Sequence, residues 1–205
     1  MSTISGATTG ERAPAPRWRV AIVDDHERSR AALRAAIWSA GGEVAGEGFR
    51  LADVAGLIDR VRPDVAVFAV GLSDGDGVTG AAQTVSAGYP VVLFTSHTDA
   101  ELIARAQAAG VMAYLLKPLR PAELAPALDL AVARFREVRE LRQNLEDRKV
   151  IERAKGRLME REGLSEDAAF RRLRRAAMDS RRSLAEIARA LLAAESVVGI
   201  PDRER

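Results

Sequence analysis

The residues of this sequence that could do chemistry collect at the ends of short apolar runs. Asp24 and Asp25 follow "WRVAIV", Thr95 follows "PVVLF", and Lys117 follows "VMAYLL". Carboxylates bind hard divalent cations, and a lysine offsets the charge of a phosphoryl group. A fourth run, "DVAVFA", ends at Ala69, where strands of this kind often carry an aspartate. The pattern indicates a charged pocket and leaves open whether Ala69 is an ordinary core residue or a gap in that pocket.

The elements that would position these residues alternate along the first half of the chain. Five Val/Ile/Leu-rich runs are each followed by an Ala-rich amphipathic stretch such as "RSRAALRAAIWSAG". Near-continuous apolar strands predict a parallel sheet covered by helices on both faces. Five strands and five helices make a doubly wound α/β fold, whose functional crevice lies at the carboxyl ends of the strands.

These residues, in this order, resemble the response-regulator receiver domain over residues 17–133. The resemblance rests on Asp24, Asp25, Thr95, the aromatic Tyr114 and the Lys117-Pro118 dipeptide. It implies a flavodoxin-like fold, Mg²⁺ on the acidic pair, an aspartate at the end of the third strand that accepts a phosphoryl group, and a cis bond before the proline. The threonine and the lysine would contact that phosphoryl group.

Ala69 occupies the acceptor position of that family, and it has no oxygen to phosphorylate. We therefore expect a pseudo-receiver with weak Mg²⁺ binding at Asp24 and Asp25, no required cofactor, and an output that does not depend on aspartyl phosphate. Asp74 and Asp76 in "GLSDGDG" are alternative acceptors. Asp-Gly pairs are standard turn formers, so the sequence favours a turn at this point.

Composition excludes several classes of protein. The chain has no cysteine, which removes disulfides, zinc-thiolate sites and cysteine nucleophiles and fits a reducing cytoplasm. Residues 1–16 lack an apolar run long enough for a signal peptide or a membrane span and are predicted to be a disordered tail. No triad spacing, Walker loop or dinucleotide fingerprint occurs, so we expect no enzyme and a cytoplasmic location.

The second half of the chain begins with a long helix. From Pro121 the sequence has no glycine until Gly156. Apolar residues step by threes and fours, as in the seam of a coiled coil: Leu124, Leu128, Ala131, Phe135, Val138, Leu141 and Leu145. We predict a coiled-coil linker over residues 134–147 and a homodimer through residues 121–160. The alternative is one amphipathic helix packed on its own domain.

Two shorter helices follow, with clear signals at their ends. Gly163 suits a helix C-terminus, Ser165 suits an N-cap, and Ser183 with Glu186 makes a capping box. Packed on the end of the long helix, their apolar faces predict a small three-helix bundle over residues 148–195. A tail of residues 196–205 would follow.

Residues 140–195 are similar to the ANTAR domain of AmiR/NasR-type transcription antiterminators. The similarity rests on Ala154-Lys155-Gly156, Ser165, Ala169-Phe170, Leu173, Ala176-Ala177 and Ile187-Ala188. It implies an RNA-binding output in which dimers bind paired hairpins of nascent mRNA, and it makes the protein part of a two-component system.

Charge agrees with that output. Residues 1–133 hold 12 basic and 15 acidic side chains, whereas residues 148–190 hold 13 basic and 7 acidic ones. Guanidinium groups bind phosphates and stack on splayed bases. The predicted RNA contacts are Arg153, Lys155, Gly156, Arg157, Arg171, Arg174, Arg175, Arg181 and Arg182. A solvated face with local pairs to Glu166 and Asp179 is the plainer interpretation.

Two other functions remain open from the sequence. "SLAEIARALL" resembles the first helix of a helix-turn-helix, which would make the protein a DNA-binding regulator, but the segment after it is short and broken by Gly199 and Pro201. The third candidate is a scaffold that binds only protein. The signal that replaces phosphate is a regulatory protein on the pseudo-receiver, a small ligand in its crevice, or none.

Overall fold

A computed structural model of the protein describes residues 15–198, which divide into two compact units. The boundary falls after Arg136, within a long helix. We call the residues before it the α/β unit and those after it the helical unit. Residues 1–14 and 199–205, which contain most of the two predicted tails, lie outside the described residues.

The five strands of the main sheet and the helices follow one another in the order that the sequence predicts. The main sheet contains β1 (Arg19–Val23), β2 (Glu43–Gly48), β3 (Val65–Ala69), β6 (Val91–Thr95) and β7 (Ala113–Leu116), and a small hairpin contains β4 (Gly71–Leu72) and β5 (Gly75–Asp76). The helices are α1 (Glu27–Ser39), α2 (Val54–Val61), α3 (Gly77–Ser86), α4 (Ala100–Ala108), α5 (Pro121–Glu162), α6 (Glu166–Ser180) and α7 (Leu184–Val198), and a 3₁₀ turn spans Leu51–Asp53.

The main sheet has the strand order β2-β1-β3-β6-β7, and every neighbouring pair is parallel. Successive side chains of a strand point to opposite faces. On β1, Val20 and Ile22 therefore pack in the core beneath α1 and α5, whereas Ala21 and Val23 pack beneath α2, α3 and α4. The predicted doubly wound α/β fold with five parallel strands is confirmed.

Helix α5 contributes residues to both units. Leu124, Leu128 and Ala131 are fully buried against the sheet of the α/β unit. They are core residues, so the prediction that the coiled-coil seam begins at Leu124 is wrong for these three positions. Farther along the helix, Leu141 and Leu145 are 58% and 57% exposed. Any seam must use this later part of α5.

The helical unit is a three-helix bundle. The end of α5, α6 and α7 surround a small apolar core of Ala154, Leu158, Ala169, Leu173 and Ala188. Helix α7 runs to Val198, three residues beyond the predicted end of the bundle at 195.

The predicted signals at the helix ends of this bundle are confirmed. Gly163 has a φ of +65° and donates its N–H to the carbonyl of Met159. The Ser165 hydroxyl accepts the N–H of Ala168, and Ser183 and Glu186 exchange hydrogen bonds as a capping box. These bonds satisfy backbone groups that a helix end leaves unpaired.

Candidate functional site

A cleft of about 460 Å³ lies at the carboxyl ends of the sheet, where the doubly wound fold predicts a binding site. Side chains from four strand ends and from α4 line it, among them His26, Phe94, Thr95, His97, Arg105 and Lys117. We call it the strand-end cleft. Lys117 precedes Pro118, and the bond between them is cis, as the receiver resemblance implies.

The central contact of the strand-end cleft is an internal ion pair. The Lys117 ammonium donates to Asp24 Oδ2 over 2.6 Å, and the Asp24 side chain has no exposed surface. The other carboxylate oxygen of Asp24 accepts the backbone N–H of His26 at 2.8 Å. Lys117 also lies 5.0 Å from the centre of the Phe94 ring. Both oxygens of the buried acid and the cation opposite it are therefore engaged within the chain.

The acidic pair offers an incomplete metal site. Asp24, Asp25 and the imidazole of His26 can bring ligand atoms within 4.8 Å of one another, and Asp25 Oδ1 lies 2.6 Å from His26 Nδ1. Mg²⁺ requires near-octahedral coordination, mostly by oxygen. Here Ala69 supplies no third carboxylate, and Asp24 is already bound to Lys117. The residues therefore fit a Mg²⁺ site poorly.

Thr95 and Ala69 complete this edge of the sheet. Thr95 is buried, and its hydroxyl donates to the His97 carbonyl at 3.0 Å and accepts the His97 N–H at 3.1 Å. Ala69 is the buried last residue of β3. A Cβ on Gly77 would lie only 1.8 Å from the Ala69 carbonyl oxygen, so glycine is required at the start of α3.

The two acids downstream of Ala69 accept hydrogen bonds from backbone N–H groups. Asp74 accepts the N–H groups of Leu51 and Ala52 at 2.8 and 3.1 Å, and the Leu51 bond is the main cause that lowers the pKa of this carboxyl. Asp76 caps α3 by accepting the N–H of Val78, and it pairs with Arg105. The predicted turn is a hairpin, and both carboxylates have structural partners.

Tyr114, expected in the receiver pocket, lies elsewhere. It is 53% exposed on β7 and lines a separate groove with Ile103, Met112 and Leu130. His26, His97 and Arg105, by contrast, line the strand-end cleft, although none of them was among the predicted site residues. The histidines follow strand ends, which was the available signal, whereas the contact of Arg105 arises only from folding.

Lys155 of the helical unit is not an exposed RNA contact. It is 8% exposed and bridges Glu152 at 2.8 Å and Glu166 at 2.7 Å. Hydrogen bonds to these two glutamates, with Glu152 the stronger cause, raise the pKa of the lysine, and the bond from Lys155 lowers the pKa of Glu166. Because Glu166 begins α6, the lysine ties α5 to α6. Reversing its charge would replace both ion pairs with repulsion.

The other predicted RNA contacts divide into two groups. Arg157 pairs with Glu160, and Gly156 is half-buried with open space where a Cβ would project. The remaining six are exposed and have no ion-pair partner within the part of the chain that the structure describes: Arg153, Arg171, Arg174, Arg175, Arg181 and Arg182. This second group forms the exposed basic surface of the helical unit.

Comparison with known proteins agrees with the two units. Residues 20–129 match the response regulator receiver domain, and residues 139–192 match the ANTAR domain. Over 197 residues the chain is 36% identical to the transcriptional regulatory protein PdtaR of Mycobacterium tuberculosis. The aligned residues cover 92% of this chain and 96% of that protein. The chain belongs to the ANTAR response regulators.

This ANTAR response regulator is also similar to a second regulatory protein and to a solved receiver domain. It is 42% identical over 64 residues to the nitrate regulatory protein of Klebsiella oxytoca. The aligned residues cover 31% of this chain and 16% of that protein. The receiver domain of a modulated diguanylate cyclase from Desulfovibrio desulfuricans superposes with a TM-score of 0.55 at 28% identity, covering 58% of this chain and 96% of that domain.

The ANTAR response regulators are a family of regulators and not of enzymes. Within residues 15–198 no helix has both the length and the apolar character that crossing a membrane requires.

Proposed function

We propose that this ANTAR response regulator is an RNA-binding transcription antiterminator of the cytoplasm whose receiver domain acts without phosphorylation. The observation that carries the RNA-binding role is the exposed basic surface on a bundle that matches the ANTAR domain. Among the side chains that the structure describes, none of its six arginines forms an ion pair, and only Arg182 interacts electrostatically with an acid, Glu186. Most of their charge is therefore available to a polyanion.

Arginine suits an RNA target for a physical reason. Its planar guanidinium binds phosphate oxygens through two parallel hydrogen bonds and also stacks on bases. Sequence-specific RNA recognition uses loops, whose unpaired bases are open to such stacking. A protein with few exposed aromatic side chains can read a hairpin loop in this way.

The strand-end cleft supports independence from phosphate. Ala69 has no acceptor oxygen, and Lys117, which would contact a phosphoryl group, is held by Asp24. Asp74 and Asp76 are committed to backbone and side-chain bonds. We therefore infer that a protein partner or a small ligand on the receiver domain replaces the phosphoryl signal, unless the output is constitutive.

A homodimer through the later part of α5 belongs to the same proposal. Leu141 and Leu145 lie one helical turn apart, and both are more than half exposed in the single chain. Large apolar side chains at this spacing form the seam of a coiled coil. Two copies joined there would present two basic surfaces to paired hairpins.

The test is a gel shift with the full-length protein at moderate salt. The probes are a pool of two-hairpin RNAs with randomised loop nucleotides and duplex DNA of matched length. Preferential capture of the RNA supports antitermination, and preferential capture of the DNA supports a DNA-binding regulator. No shift with either probe would leave a protein-binding scaffold. Each measurement is repeated with a small phosphodonor, which should not change the affinity.

A further inference from the structure

Met178 is an exposed apolar side chain on the basic surface of the helical unit. It is 70% exposed, although α6 buries Ala169, Leu173 and Ala177 in the bundle core. Residues three and four apart on a helix are neighbours. By this spacing Met178 lies beside Arg174 and Arg175, on the side of α6 that faces away from the core.

The end of α6 adds two more arginines next to this methionine. Arg181 adopts the left-handed conformation with a φ of 54° and donates its N–H to the Met178 carbonyl at 3.2 Å. The N–H of Arg182 donates to the Ala177 carbonyl at 3.1 Å. These bonds end the helix and hold the two arginines three and four residues after Met178.

Ion pairing in the helical unit separates this face from the rest of its surface. Arg172, on another side of α6, pairs with Glu162, and Arg189 of α7 pairs with Asp147. Of the arginines around Met178, none has an ion-pair partner in the described region of the chain, and the adjacent Asp179 forms none with them. Arg174 and Arg175, one helical turn before Met178, and Arg181, which is bonded to its carbonyl, therefore place three like charges near one exposed thioether.

We propose that Met178, framed by Arg174, Arg175 and Arg181, is a subsite for one unpaired nucleobase of an RNA loop. A thioether is polarisable and makes favourable contacts with aromatic rings. Bases that are splayed out of a loop expose such a ring, and guanidinium groups bind the phosphates on either side. This inference rests on the proposed RNA-binding function and adds to it the position that receives a base.

The test substitutes Met178→Ala in the full-length protein. The probes are the pool of two-hairpin RNAs with randomised loops and a fully paired RNA of the same length. We expect a loss of affinity for the hairpin pool of about twofold to tenfold, the range that sulfur–aromatic contacts contribute. Affinity for paired RNA and the salt dependence of binding should stay unchanged, because no charge is removed.

Two matched variants complete the experiment. Met159→Ala removes the other exposed methionine of the helical unit, which is 37% exposed on α5, and should leave hairpin binding unchanged. Met178→Phe supplies a larger ring for stacking and should retain or increase affinity. The circular dichroism spectrum and melting temperature of each variant check that it is folded.

The outcomes separate the inference from the function on which it rests. If the wild-type protein binds no RNA, both are wrong. If it binds the hairpin pool and Met178→Ala binds equally well, the subsite is wrong and the RNA-binding function stands. If the substitution changes self-association by sedimentation but not RNA affinity, Met178 is a protein contact, and the subsite is again wrong.

Discussion

At the scale of single residues, the strand-end cleft is defined by one missing carboxylate and one ion pair. Ala69 removes the acceptor oxygen, and the Lys117 ammonium binds Asp24 at 2.6 Å. A buried carboxylate without a partner is costly, so the lysine compensates a charge that would otherwise be stranded. The charges of Asp24 and Lys117 are thus compensated within the chain.

Restoring the acceptor tests this account. In Ala69→Asp the new carboxylate would join Asp24 and Asp25 as a ligand for Mg²⁺, and Lys117 would be available to the phosphoryl group. We expect incorporation of one phosphoryl group per chain from a small phosphodonor, only with Mg²⁺, as measured by intact mass.

The wild-type protein and Ala69→Asn serve as controls, because neither has a nucleophilic oxygen at position 69. Both should remain unmodified. Stoichiometric, Mg²⁺-dependent modification of the wild type would instead identify another acid as acceptor, and Asp74→Asn and Asp76→Asn would then decide which one.

The bridge made by Lys155 predicts a dependence of stability on pH. The bond from Lys155 lowers the pKa of Glu166 below its ordinary value of 4.5. A carboxyl with a lowered pKa stabilises the fold above its unfolded pKa, and this contribution is lost as the pH falls through the folded value. Thermal unfolding of Glu166→Gln should therefore occur at a lower temperature than that of the wild type near pH 7.

The difference between these two proteins should disappear in acid, below the lowered pKa, where Glu166 of the wild type is protonated as well. Glu160→Gln removes the acid that pairs with the exposed Arg157 at 3.3 Å and is the matched control. Glu160 and Glu166 are similarly exposed, but Arg157 is exposed whereas Lys155 is buried. A fully exposed pair contributes little, so the effect of Glu160→Gln should be smaller. A pH-independent deficit in Glu166→Gln would rule out the ion pair as the cause.

At the scale of elements, the sequence predicted the features that depend on residues close to one another along the chain. The five strands, the caps at Ser165 and Ser183 and the length of α5 depend on apolar periodicity and on residues close in sequence. The hairpin of β4 and β5, the burial of Lys155 and the hydrogen bonds of Thr95 were not foreseen. Each depends on which distant segment packs against the residue, and spacing along the chain does not carry that information.

Helix α5 illustrates both cases. Its apolar repeat is continuous from Leu124 to Leu145, but the first part packs on the sheet and the later part is exposed. Periodicity predicts that a face is apolar and leaves open what covers it. Burial in the structure divides one repeat into a core segment and a candidate seam.

The candidate seam can be tested by charge. The double substitution Leu141→Glu and Leu145→Glu places acids where two helices would meet, and burying such charges without partners is strongly unfavourable. We expect a dimer of the wild type to become a monomer in sedimentation velocity. Arg139→Glu, which makes the same change of net charge on the opposite side of α5, should stay dimeric. A dimeric double variant would mean that the copies meet elsewhere.

At the scale of the whole molecule, charge is divided between the two units. Residues 1–133 carry a formal charge of −3 and residues 148–190 one of +6, although the net charge of the chain is only +2. A polyanion is attracted to the basic region and repelled by the acidic one. The net charge alone would have hidden this asymmetry.

The salt dependence of RNA binding tests whether the basic region, and not the acidic one, binds the RNA phosphates. Each arginine that neutralises a phosphate releases counterions, so the double variant Arg174→Gln and Arg175→Gln should lower the slope of log affinity against log salt by about 2 or less. Arg28→Gln with Arg60→Gln removes the same charge from the α/β unit and should leave the slope unchanged. Equal slopes in all three proteins would exclude Arg174 and Arg175 as phosphate contacts.

The pairing of Asp24 with Lys117 also bears on how such proteins are read from sequence. Loss of either partner strands a charge in the cleft, so mutation is opposed there by the requirement to fold, whatever the pocket once bound. An acidic pair and a lysine at these strand ends are therefore poor diagnostics of a working phosphoryl switch. The residue that ends β3 is the more informative position, because under the proposed function its carboxylate, or the lack of one, decides whether this edge of the sheet accepts a phosphoryl group.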